Sequence, residues 1–192
     1  MPNLENLIER WRAGDQRAAE SLYTLHREQT FRLAYALLGD TEDAEEAAQD
    51  ALSYALLNID RFDQKRSRFT TWLHMITVSR SRDLLRKRRQ PTLSLTTLLQ
   101  RRQSPPDPGP SLEQLAEKYD LQNTVWDAVQ KLTPMLREVI VLRHWGRHTY
   151  QEIGQIVGCP MKTAQSRVRL AHQKLAQTLA EADLPLITEE TP

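Results

Sequence analysis

Charged side chains are segregated into two adjacent segments of this chain, and such segments support electrostatic binding of other molecules. Residues 40–60 hold seven acidic side chains and no Lys or Arg, whereas residues 61–90 hold ten basic side chains against two acidic ones. The whole-chain net charge of +1 conceals this division. A surface divided in this way predicts two different partners, and the basic segment favours nucleic acid.

Both charged segments are predicted to be helices. Apolar residues recur every three or four positions across residues 44–59, which is typical of one buried stripe, and Asp40 is a suitable N-cap. In the basic segment, Leu73, Ile76 and Leu84 mark a buried side. A second face at helical spacing carries Met75, Ser79, Arg82, Arg86 and Arg89. Two solvated surface helices are the simpler alternative, because charge runs usually face water.

The composition predicts an all-α protein that works in the cytoplasm. Gly is scarce, with six residues in 192, and no segment shows the alternation of a strand. No apolar run approaches the roughly 18 residues that a membrane span needs, and the first residues lack a signal-peptide core. The single cysteine, Cys159, excludes an internal disulfide and is expected to fill a turn.

The order of the predicted helices divides the chain into two small helical domains. The first domain, residues 1–90, has predicted helices over residues 3–13, 15–38, 40–60 and 69–89. Four prolines crowd around Gly109 and predict an extended linker over residues 91–120, because proline disfavours helix. Apolar periodicity returns in a second domain, residues 121–183, and a flexible tail is predicted over residues 184–192.

The second domain contains a helix-turn-helix pattern between Tyr150 and Ala171. Thr149 and Glu152 form a predicted capping box for its first helix, and Gly158 marks the tight turn. Polar and basic side chains fill the first turns of the second helix, where a recognition helix reaches base edges. The candidate DNA-contacting residues are Lys162, Thr163, Gln165, Ser166, Arg167 and Arg169.

Three ordered motifs resemble those of one protein family. Residues 43–50, DAEEAAQD, resemble a core-binding D-A-E-D-x-x-Q-E motif, and residues 72–86 resemble a W-L-x-x-I…D-x-x-R segment. Residues 150–154, YQEIG, with residues 163–167, TAQSR, resemble a Y-x-E-I-A…T-V-x-S-R helix-turn-helix. Over nearly all of residues 15–182, the chain is similar to the extracytoplasmic-function (ECF) group of bacterial RNA polymerase sigma factors, within the sigma-70 family.

The resemblance implies a transcription initiation factor with two domains of known kinds. A region 2-like helical bundle would bind core RNA polymerase and the −10 element and assist promoter melting, and a region 4-like helix-turn-helix domain would bind the −35 element. The implied polymerase-binding residues are Asp43, Glu46, Gln49 and Asp50. The implied −10 residues are Arg66, Arg68, Phe69, Trp72, Ser79, Arg80, Arg82 and Arg86. The implied partners are the clamp helices and flap of the polymerase, promoter DNA and an anti-sigma factor.

Some positions depart from the family pattern. Ser79 stands where Asn is usual in the family, so the −10 base preference of family members cannot be assigned to this chain. Gly154 replaces a usual Ala, at a helix cost of up to roughly 1 kcal/mol. Lys162 and Ala164 replace a usual Gly and Val, so the −35 sequence does not carry over either.

Two other classes of function share parts of this sequence pattern. A stand-alone helix-turn-helix repressor of duplex DNA would leave the acidic helix and the basic domain unexplained. A DNA-processing enzyme would need a nucleophile elbow, a phosphate-binding Gly loop or a metal-carboxylate site, and none is recognised, so no catalytic residue, metal or cofactor is predicted. His144 and His148 lack a third ligand, and the carboxylates of Asp43, Glu45 and Glu46 suit a partner-binding face better than a metal.

Overall fold

The computed structural model describes residues 4–89 and 123–181, and every regular element in these ranges is helical. This confirms the predicted all-α class. The helices are α1 (Leu4–Arg12), α2 (Gln16–Leu38), α3 (Thr41–Leu57), α4 (Phe69–Arg89), α5 (residues 123–131), α6 (Pro134–His144), α7 (Tyr150–Val157) and α8 (Met161–Ala180), with a 3-10 turn at Ile59–Arg61. The predicted linker and C-terminal tail lie outside the described residues. None of the described helices is long and apolar enough to cross a membrane.

Helices α1 to α4 form an N-terminal module, residues 4–89, whose helix ends follow local sequence signals. The carboxylate of Asp40 accepts a hydrogen bond of 3.0 Å from the backbone N–H of Asp43, as predicted for an N-cap. Gly39 ends α2 at a φ of 71°, which lets α3 begin immediately. The inner core of the module includes Leu7, Leu22, Leu52, Phe62, Phe69 and Leu73, all of them buried.

Helices α5 to α8 form a C-terminal module, residues 123–181, which contains the predicted helix-turn-helix. Both bonds of the capping box between Thr149 and Glu152 are present at the start of α7. Gly158 ends α7 at a φ of 77°, and Pro160 precedes α8. Pro134 occupies the first turn of α6, where its missing N–H costs no helical hydrogen bond.

The two modules share one continuous apolar core. Leu37 of α2 and Val78 of α4 belong to the same buried cluster as Val139, Leu142 and Ile153 of the C-terminal module. The sequence predicted two domains separated by a linker and gave no indication of this contact. Burying apolar side chains from both modules stabilises their association.

Polar groups of the C-terminal module also cap the end of α2. The last carbonyls of a helix have no partner within that helix. Here Gln130 donates to the Ala36 carbonyl at 3.0 Å, and Arg137 donates to the Leu37 carbonyl at 2.8 Å. Tyr35 stacks on Trp126 with ring centroids 4.9 Å apart. Burial lowers the pKa of Arg137, and its bonds to carbonyl oxygens satisfy part of the buried guanidinium.

Candidate nucleic-acid interface

Helix α8 presents a continuous polar stripe to solvent. Lys162, Gln165, Ser166 and Arg169 are exposed, and their spacing of three and four residues places them on one side of the helix. Thr163 and Arg167 are partly buried at the borders of this stripe. The opposite side, Ala164, Val168 and Ala171, is buried against the module. All six predicted −35 residues therefore lie on or beside one accessible surface near the start of α8.

The turn that positions α8 depends on Gly154. A Cβ atom at this residue would lie 2.6 Å from the carbonyl oxygen of Cys159, closer than real contacts allow. The backbone N–H groups of Gly158 and Cys159 both donate to the Gly154 carbonyl, at 3.0 and 2.9 Å. Sequence analysis counted this glycine only as a helix cost. The structure shows that its missing side chain admits the close approach of the turn to α7.

Helix α4 and the loop before it carry the candidate −10 residues in three environments. Arg66, Ser79 and Arg86 are exposed. Arg80 is partly buried, with its guanidinium 5.0 Å from the centre of the Tyr54 ring. The two aromatic candidates and the remaining two arginines are more constrained.

The aromatic candidates form part of the core of the N-terminal module. Phe69 is only 4% exposed, and its ring lies 5.3 Å from Phe62 and 5.0 Å from His26. Trp72 is partly buried, 5.4 Å from Phe62. A DNA base cannot contact the Phe69 ring in this arrangement, so here the ring packs in the core instead of stacking on a base.

Arg68 and Arg82 are bound by carboxylates of the C-terminal module. Arg82 makes two parallel bonds to Glu138, at 2.7 and 2.6 Å, and these bonds raise its pKa. Arg68 donates twice to one oxygen of Glu152, at 3.0 and 2.6 Å. Burial favours a higher pKa for Glu152, but donors from the Thr149 backbone and Arg68 outweigh it and bring that pKa to about 2.

A buried histidine pair also joins α4 to the C-terminal module. Nδ1 of His74 on α4 is 2.7 Å from Nε2 of His148, so one nitrogen donates and the other accepts. The residues are 2% and 1% exposed. Burial lowers the pKa of both, that of His74 to about 3, with the nearby His148, His26 and Arg68 adding to the effect. His144 pairs instead with His172 at 2.8 Å, so the structure does not bring His144 and His148 together.

The acidic helix α3 is exposed along most of its predicted polymerase-binding face. Glu46, Gln49 and Asp50 are exposed. Asp43 differs in being partly buried, and it forms an ion pair with Arg88 of α4; the exposed Glu46 carboxylate lies 3.7 Å from Nζ of Lys87, also on α4. Burial raises the pKa of Asp43, and Arg88 opposes that shift. Asp43 is therefore held within the N-terminal module, whereas the other three side chains face solvent.

Comparison with known proteins decides the family. Sigma-70 region 2 matches residues 22–90, and Sigma-70 region 4 matches residues 122–175. The ECF RNA polymerase sigma factor RpoE of Cereibacter sphaeroides is 32% identical over 137 residues, covering 71% of this chain and 72% of that protein. This chain belongs to the ECF sigma factors of the sigma-70 family.

Two further likenesses extend over almost the whole sigma factor. The ECF sigma factor SigW of Bacillus subtilis is 28% identical over 183 residues, covering 93% of this chain and 97% of that protein. A solved structure of CnrH in complex with the cytosolic domain of CnrY has a TM-score of 0.65 and 26% identity, covering 93% of this chain and 97% of CnrH. The N-terminal module thus corresponds to region 2 and the C-terminal module to region 4.

Sequence reasoning missed four site residues of this sigma factor. Across the interface between the modules, Glu138 pairs with Arg82, Glu152 pairs with Arg68, and His148 pairs with His74 of α4. Glu152 was recognised only as a helix cap, which is a local role. For Glu138 and for the pair of His74 and His148, no local signal indicates these contacts, because their partners lie 56 and 74 residues away in the chain.

Proposed function

We propose that this sigma factor binds core RNA polymerase, directs it to promoters through −10 and −35 elements, and assists promoter melting. The observation that carries the proposal is the accessible polar stripe of α8 on a buried helix-turn-helix framework. Gln and Arg side chains on such a stripe can pair with adenine and guanine in the major groove, and Lys and Ser can hold phosphates.

The exposed face of α3 is the proposed polymerase contact. Glu46, Gln49 and Asp50 would meet basic helices of the polymerase clamp, and opposite charge would speed the encounter and set its orientation. Asp43 has a different proposed role, because Arg88 already holds its carboxylate. It would fix the start of α3 against α4 and so orient the three exposed side chains.

The proposed −10 surface lies on α4. Capture of an unstacked base requires basic groups along the DNA backbone and a pocket for the base. Arg66, Ser79 and Arg86 are exposed in the present arrangement. Arg68 and Arg82 would offer all their donors to DNA only after leaving Glu152 and Glu138. The buried Phe69 would reach DNA only after local rearrangement, whereas Trp72 and Arg80 are already partly exposed.

We also propose partners, location and domain limits that follow from the family. CnrH has been solved with the cytosolic domain of CnrY, and by analogy a protein inhibitor, an anti-sigma factor, would control this chain in the cytoplasm. The chain would contribute binding and no catalysis, because the phosphoryl chemistry belongs to the polymerase. Residues 1–90 and 121–183 would be the two domains, joined by a linker over residues 91–120.

Charge reversal on α3 tests this function. The variant Glu46→Lys with Asp50→Lys should weaken binding to purified bacterial core polymerase by at least about tenfold, since close charge pairs at an interface contribute more than about 1.4 kcal/mol in total. Glu28→Lys is the matched control, because Glu28 is exposed on α2 and pairs only locally with Arg32. Equal affinity of the α3 variant and the control for core polymerase would contradict the assignment of this face to polymerase binding.

A further inference from the structure

Two carboxylates of region 4 hold the same guanidinium groups that are assigned to −10 DNA. Glu138 on α6 accepts two parallel bonds from Arg82, and Glu152 on α7 accepts two bonds from Arg68. The planar guanidinium offers a carboxylate the same paired donors that it offers a phosphate. A carboxylate bound in this way therefore occupies the place of a DNA phosphate.

The two carboxylates are held in different ways. The Glu138 side chain is 8% exposed and lies among buried residues of α6, and Arg82 also approaches the Val157 carbonyl at 3.4 Å. Glu152 completes the capping box of α7 through the backbone N–H of Thr149 at 2.9 Å. Glu152 is therefore positioned by its own module, whereas Glu138 is a nearly buried carboxylate whose hydrogen bonds come from Arg82.

The region 4 carboxylates bind arginine side chains of the candidate −10 surface. The −35 stripe of α8 faces solvent, whereas Arg68 and Arg82 are the two −10 candidates that contact region 4 carboxylates. Beside Arg82, a cleft of about 360 Å³ is lined by Ser79, Leu85 and Arg86 of α4 and Pro134 of α6. DNA could therefore approach Ser79 and Arg86 while Arg82 remains bound to Glu138.

We propose that Glu138 and Glu152 compete with −10 DNA for Arg82 and Arg68, so that region 4 keeps region 2 in a state of low affinity for single-stranded DNA. The inference rests on the proposed function, since it takes the −10 role of α4 as given. Release of the two arginines then requires that the modules separate or that the carboxylates lose their charge.

Neutral variants of the two carboxylates test the competition in the full-length chain. Glu138→Gln and Glu152→Gln, singly and together, should bind a fluorescently labelled single-stranded DNA of random sequence more tightly than the wild type. The expected gain is on the order of threefold to tenfold for the double variant, the range for one to two released ion pairs. Gln also serves at the third position of a capping box, so α7 should still form.

Two controls separate competition from a general loss of negative charge. Glu28→Gln makes the same charge change on an exposed part of α2 and should leave DNA affinity unchanged. In an Arg82→Gln background, Glu138→Gln should bring no gain, because the gain depends on the released guanidinium. Circular dichroism establishes that each variant is folded.

The outcomes distinguish this inference from the proposed function. Equal DNA affinity of wild type and folded double variant, or a gain that persists without Arg82, would overturn the competition. Promoter selection by wild-type chain with core polymerase is read separately. Promoter selection could fail while Glu138→Gln still raises DNA affinity through Arg82. That result would support the competition and contradict the proposed sigma function.

Discussion

Acidification should weaken the contact between the two modules through the buried pair of His74 and His148. Burial lowers the pKa of His74 from 6.5 to about 3, so the folded chain resists a proton that the unfolded chain accepts. The stabilising contribution is complete above pH 6.5 and is lost as the pH falls from 6.5 toward 3. Each pH unit in this window costs about 1.4 kcal/mol, so the loss reaches about 2 kcal/mol at pH 5.

The neighbouring charges support this direction. Arg68 and His26 also disfavour a proton on His74. Glu152, whose pKa is about 2, stays ionised throughout the window and favours a proton on His148 instead. The loss is therefore assigned to His74, and His148 contributes in the same direction because burial also lowers its pKa.

Urea unfolding followed by circular dichroism measures this loss. The free energy of unfolding of the wild type should fall between pH 7.5 and pH 5, and His74→Gln should lose about 2 kcal/mol less over the same range. His172→Gln is the control, because His172 belongs to the exposed pair with His144. Titrating groups that do not contact residue 74 cancel in the comparison. An identical pH dependence in wild type and His74→Gln would show that His74 does not carry the loss of stability.

Three further predictions concern region 4. Arg167→Ala should reduce discrimination at the −35 element by about tenfold in a promoter-sequence scan, whereas Lys174→Ala, later on α8, should not; equal selectivity would exclude Arg167 from base readout. Gly158→Ala should lower the free energy of unfolding by about 1 kcal/mol, because the φ of 77° at Gly158 disfavours any side chain. A Cβ atom there would meet no neighbour, so backbone strain is the expected cause. Unchanged stability would contradict this. Residues 120–192 alone should show a helical circular dichroism spectrum at reduced thermal stability, because the helix-turn-helix core is internal to them; a disordered spectrum would contradict the domain division.

Local features of the fold could be predicted from the sequence. The N-cap at Asp40, the capping box of Thr149 and Glu152 and the turn at Gly158 each depend on residues within a few positions of one another. The same holds for the exposed stripe of α8, because helical periodicity alone determines which side chains share a face. These features account for the order of the helices and for the candidate −35 surface.

Contacts between distant segments could not be predicted in this way. Arg82 and Glu138 are 56 residues apart, and nothing in either segment indicates the other. The burial of Phe69 likewise depends on Phe62 and His26, which reach it only in the folded module. The DNA role of the arginine-rich helix stays a prediction, and the packing of region 4 determines which of its arginines are paired with carboxylates.

Run-off transcription with purified bacterial core polymerase tests the central claim most directly. Genomic promoter fragments would be transcribed with and without this chain, and the new start sites would be mapped. Protein-dependent starts that share −10 and −35 sequences are expected, and Arg167→Ala should alter the shared −35 sequence. Binding of duplex DNA by the chain alone, with no new start from core polymerase, would contradict the account and favour a helix-turn-helix repressor.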